Sequence, residues 1–116
     1  MVKTNKLDAE KNIEKALFEI FKNVAEYKNI DFPQIDSLDD IPQEVIDALR
    51  DLAGKAAYDI SQNNYDGANL RLIDELTKNY PHEIIENLIA DCMEYGLKHK
   101  YYAYLAGLGI MKKYIL

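Results

Sequence analysis

The chain has 116 residues, a formal net charge of −6, 48% hydrophobic residues and one cysteine. That length suits a single domain whose core needs neither a metal nor a disulfide framework, and the lone Cys92, with no partner for an internal bridge, points to a reducing compartment, cytoplasmic or nuclear. The polar opening MVKTNKLDAEKN lacks the apolar run of a signal peptide, and no stretch reaches the roughly 20 apolar residues needed to cross a bilayer.

Apolar residues recur at helical spacing, and no segment has the alternation or β-branched density of a strand. Ile13, Leu17, Ile20 and Val24 lie opposite Glu10, Glu14 and Lys22, which predicts an amphipathic helix over residues 8–27, after a frayed start at 1–7. The connector KNIDFPQIDSLDD contains Pro33, but Ile30, Phe32, Ile35 and Leu38 are apolar enough to lie back on the core. Asp40 with Gln43 three residues on reads as a capping box for a second helix that runs to Ser61. Val45, Leu49, Leu52, Ala56 and Ile60 form its buried stripe, and Gly54 suggests a close neighbour.

SQNNYDG is a turn by composition. A third, shorter helix carries Leu70, Ile73 and Leu76, with Tyr80 before the break at Pro81. A fourth, HEIIENLIADCMEYG, turns Ile85, Leu88, Ile89 and Cys92 inward and stops at Gly96. After LKHK a fifth begins. The fold class is all-α: about five helices, as a compact bundle or stacked antiparallel helical hairpins, forming one domain over 1–116.

The fifth helix is unusual. From Tyr101 to Met111 it has no charge, and after Tyr95 the chain holds Lys98, Lys100, Lys112 and Lys113 with no acid. The first ninety-five residues hold ten bases against twenty acids, a net −10. A helix apolar all round is central to a bundle or covered by a partner, and Gly107 and Gly109 fit a place where another helix comes close. Tyr101, Tyr104 and Leu108, ringed by Lys98, Lys100, Lys112 and Lys113, are the candidate recognition face, and a homodimer through this helix is one way to cover it.

Motifs for chemistry are poor. HEIIE at 82–86 begins like a zinc-binding HExxH but ends in Glu86, and two ligands are too few for zinc. Pro81 opening a helix, with His82 and Glu83 solvated in its first turn, explains the run better. Paired ExxH motifs of a di-iron bundle are missing. Cys92 continues an apolar stripe, which favours a core thiol over a nucleophile paired with His82 or His99. Asp36, Asp39 and Asp40 lack the glycine and terminal glutamate of a calcium loop. No cofactor or metal is expected. Lys98, His99, Lys100 and the tyrosines after them could in principle stack unpaired bases, but Tyr101, Tyr102 and Tyr104 do not share one helix face, and the acidic body repels phosphate and anionic lipid. Direct nucleic-acid and membrane binding are therefore disfavoured.

The stretches LAGKAAYDISQ (52–62), LRLIDEL (70–76), NYPHEIIENLI (79–89) and YYAYLAGLGI (101–110) resemble the first helical repeats of the HEAT-type middle domain found in the translation-initiation scaffold and the nuclear cap-binding large subunit. The nearest feature is the run Tyr102, Ala103, Tyr104, Leu105, Ala106, Gly107, Leu108. The resemblance implies a non-enzymatic scaffold for proteins on messenger RNA, within a nucleoprotein complex; a whole protein and the start of a longer repeat array are both compatible with the sequence. Composition alone supports two readings: a non-enzymatic protein-binding scaffold, and a small acidic inhibitor, of a phage or bacterial immunity type, that covers a basic site on a nuclease or toxin.

Overall fold

The computed structural model describes residues 5–114, and every regular element among them is helical: α1 Lys6–Lys28, a 3-10 turn Leu38–Asp40, α2 Gln43–Ser61, α3 Ala68–Leu76, α4 His82–Tyr95 and α5 His99–Lys113. The all-α bundle of five helices expected from the periodicity is what forms. Of the expected frayed start, residues 1–4 lie outside the described residues, while Lys6 and Leu7 already belong to α1.

The core is organised around α1. The Asn5 side chain accepts from the Asp8 N–H at 2.9 Å to start the helix, and Asn29, at φ 56°, ends it in the left-handed conformation. Ile13, Leu17, Ile20 and Val24, the predicted stripe, are fully buried together with Phe21 and Ala25. Each aliphatic side chain so buried contributes about 1.5–3 kcal/mol. Helix α1 packs on α2, α3 and α4. The connector folds back as expected, with Leu38 buried and Ile30, Phe32 and Ile35 half-buried against the core.

Three local expectations are corrected. The Asp40–Gln43 capping box does not form: Asp40 closes the 3-10 turn, and Pro42, with its φ fixed by the ring, takes the position before α2. The side-chain cap belongs to Ser37, whose Oγ accepts from the Asp39 N–H at 3.1 Å. Gly54 faces open space, with nothing near its missing Cβ. Helix α3 stops at Leu76, where the Thr77 hydroxyl donates back to the Ile73 carbonyl at 2.6 Å, so Tyr80 falls in the following turn. From there its hydroxyl donates to Glu19 of α1.

Gly96 ends α4 at φ 59°, as its sequence position predicts. The short connection turns the chain back, so the C-terminal half of α5 meets the N-terminal half of α4, with Ile89 and Ile85 against Gly109. A Cβ on Gly109 would sit 3.0 Å from Ile89 Cδ1, whereas one on Gly107 would meet nothing within 4 Å. The close approach expected of both glycines is real at Gly109 alone. No helix among the described residues is long and apolar enough to cross a membrane.

Candidate protein-binding surface

Helix α5 has two faces of different character. Tyr101, Leu105, Leu108 and Lys112, spaced four, three and four apart, point into the molecule with Met111. Tyr102, Ala103 and Ile110 point out. The helix is thus not the fully enclosed central element that its composition allows.

The predicted site residues separate accordingly. Tyr101 is 2% and Leu108 3% exposed, so both side chains belong to the core. Tyr101 sits in a charged clasp: Lys98 and Lys100 lie over its ring at 5.6 and 5.9 Å, Lys98 pairs with Asp39 at 3.5 Å, and Lys100 pairs with the same carboxylate. Burial, with Glu14 and Glu10 close by, pushes the Tyr101 hydroxyl up to about 12. Lys112, at 5% exposure, is bound by Asp74 and by Thr77 at the end of α3. Lys113 is exposed. Three of the four lysines that made the chain end look basic therefore have internal partners, Lys98 and Lys100 sharing the Asp39 carboxylate and Lys112 taking Asp74.

Tyr104 is half-buried, its ring edge-to-face with Phe21 of α1 at 5.3 Å between centroids. It also lines an apolar groove of about 180 Å³ between α5 and α2, with Gly107 and Ala103 on one wall and Ile46, Arg50 and Ala53 on the other. Of the seven predicted residues, Tyr104 and Leu108 meet in this groove, Leu108 forming part of its floor. The α2 wall was missed in sequence. Its signal was the pairing of small residues, Ala53 on one helix with Ala103 and Gly107 on the other, which leaves the gap.

Beyond the groove the outer face continues through Tyr102 and Ile110, the latter 59% exposed. On the far side α4 contributes Met93, 66% exposed. Glu86 Oε1 comes within 3.7 Å of where a Gly109 Cβ would lie, so an acid borders the ridge there. The result is an apolar strip along α5 with the groove on one side and α4 on the other.

Other sites offer less. His82 Nε2 and Glu86 Oε1 approach to 3.1 Å on the surface of α4, and no group of three metal-ligating side chains converges among the described residues. Cys92 is buried, and burial pushes its thiol pKa up, away from a nucleophile. Asp36, Asp39 and Asp40 remain exposed, with Asp39 engaged by the two lysines. Comparison with known proteins finds no matching family model, no matching curated protein and no matching solved structure.

Proposed function

We propose that this chain is a non-enzymatic protein-binding module that docks a segment of another protein on the outer face of α5 and in the groove beside it. The observation that supports this reading is the absence of any charge on α5 from Tyr101 to Met111 although Tyr102, Ala103 and Ile110 face solvent. Contiguous exposed apolar surface is uncommon on monomers and marks interaction sites. Tyrosine at such a surface brings a large apolar ring together with a hydrogen-bonding tip.

The test separates surface from core. A partner is identified by cross-linked affinity capture, and its binding to the purified protein is then measured for Ile110→Asp and Ala103→Asp. Both variants are expected to keep the parent's circular dichroism and to bind at least about tenfold more weakly. Unchanged affinity in both would overturn the reading.

The acidic-inhibitor reading is favoured by a separate observation: α4 carries Glu83, Glu86, Asp91 and Glu94 and no lysine or arginine. An inhibitor of that kind would lose association rate steeply as salt is raised. The scaffold role in a nucleoprotein complex draws its support from the resemblance to HEAT-type repeats and from the packing of sequence neighbours, α2 with α3 and α4 with α5. An uncovered α5 is where a next repeat would stack.

A further inference from the structure

We infer that the trough between α1 and the connector is a second docking surface, which takes an extended acidic segment of a partner protein with an apolar side chain between two carboxylates. The trough has a volume of about 610 Å³, and none of its lining residues belongs to α5. Lys15, Phe18, Glu19 and Lys22, at helical spacing, put one face of α1 along it, and Phe32 and Ile35 line it from the connector. Phe18, Phe32 and Ile35 are half-buried, so the trough offers apolar surface between its charges.

Those charges are not equally available. Glu19 is already engaged, since its Oε1 accepts from the Asn79 amide at 2.6 Å and its Oε2 accepts from the Tyr80 hydroxyl. Lys15 and Lys22 are exposed, and neither has an ion pair or a hydrogen bond among the described residues. The helical rise sets them about 10.5 Å apart along α1, with Phe18 between them. In an extended chain, alternate residues share one face, and a first, third and fifth residue span about 13 Å. An acid, an apolar residue and a second acid at those positions match Lys15, Phe18 and Lys22, the long lysine stems taking up the difference.

The connector gives a separate reason for an extended peptide. Over residues 31–36 no backbone N–H or carbonyl makes a hydrogen bond among the described residues, and Pro33 keeps the segment out of a helix. Those groups are open to a chain laid beside them. Glu26, Asp31 and Asp36 are exposed acids outside the lining, and with the net −6 they oppose a polyanion such as nucleic acid or an anionic bilayer. A second copy of this chain carries the pattern at Asp36, Leu38 and Asp40, but Leu38 is buried in its own core.

The experiment titrates a short capped peptide, with two glutamates flanking a phenylalanine at alternate positions, into isotope-labelled protein followed by amide NMR. The Phe32, Gln34 and Ile35 amide signals are expected to shift. Lys15→Glu with Lys22→Glu, at exposed positions, is expected to weaken the peptide about tenfold or more, and to favour the same peptide with lysines for glutamates. Lys15→Gln with Lys22→Gln serves if the reversed pair does not fold. A peptide with serine in place of phenylalanine is expected to bind about tenfold more weakly. Ile110→Asp and Lys113→Glu, on α5, are expected to change nothing, so the outcome is independent of docking on α5.

No shift of the connector amides with millimolar peptide overturns the inference. Equal binding of the serine peptide, displacement by polyphosphate of the same total charge, or an equal loss on Lys113→Glu would show diffuse attraction and overturn it as well. Self-association in sedimentation that the peptide dissolves would make a second copy the occupant and overturn the partner segment.

Discussion

The Lys112 ammonium donates to the carbonyl oxygen of Thr77 at 3.2 Å and to the Thr77 hydroxyl at 3.0 Å, tying the last turn of α5 to the end of α3. The free carbonyls at a helix C-terminus carry partial negative charge, which favours a cation there. Asp74 completes the site at 3.2 Å.

Lys112→Met is therefore expected to destabilise the protein by about 1–3 kcal/mol, the cost of leaving buried polar groups without a partner. Lys113→Met, at an exposed position, should stay within about 0.5 kcal/mol of the parent. Urea denaturation of the two variants checks this. Equal stability would show that Lys112 is not a structural residue.

Leu108 and Ile110 differ by two residues and by 3% against 59% exposure. Leu108→Asp buries an unpaired charge and is expected to abolish the helical circular dichroism at 37 °C, because the penalty is a large part of a marginal stability of about 5–15 kcal/mol. Ile110→Asp is expected to melt within a few degrees of the parent. A folded Leu108→Asp protein would place Leu108 on the surface.

Gly107→Ala and Gly109→Ala have the same helix-propensity gain, about 0.5–1 kcal/mol. At Gly107 nothing opposes it, so the variant should be more stable than the parent. At Gly109 the new methyl requires Ile89 Cδ1, 3.0 Å away, to move, and the gain should be smaller or reversed. The order of the two midpoints in guanidinium tests the difference.

Two tyrosines titrate late. Burial first, then the Glu19 carboxylate that accepts its proton at 2.5 Å, pushes Tyr80 up to about 12; burial likewise raises Tyr101 to about 12. In the unfolded chain both ionise near the ordinary value of 10, so their contribution is complete below pH 10 and is lost as pH rises toward 12. Glu19 has the opposite sense. Its hydrogen bonds from Tyr80 and Asn79 lower its pKa, so its contribution is present above the ordinary carboxyl range and is lost as pH falls through the lowered value. Absorbance at high pH should show these two tyrosines ionising together with unfolding, and Tyr80→Phe should make the alkaline transition less steep.

Much of the bundle was legible because its helices have contrasting faces. Ile13, Leu17, Ile20 and Val24 alternate with charged positions, and the period reveals which side is buried. Gly96 was legible from the left-handed turn that glycine adopts without strain. Helix α5 was not, since it has no polar side to set against an apolar one. Tyr101 and Leu108 could not be told from Ile110 by composition. A cue was available: Tyr101, Leu105, Leu108 and Lys112 continue one stripe, and a lysine on a buried stripe implies a partner inside. The capping box at Asp40 failed for a different reason, because Pro42 and the turn before it set the entry to α2 without any side-chain bond.

Among the α-helices, α1 has its own start signal in the Asn5 side chain, whereas α2, α3, α4 and α5 begin without a side-chain cap. Helix α1 is also the longest, at 23 residues, and short uncapped helices are marginal in water by themselves. Assembly is therefore expected to have a direction, with α1 as the template on which the others condense. Replacing Leu17 with alanine should slow refolding, while the same change at Leu105 should chiefly hasten unfolding.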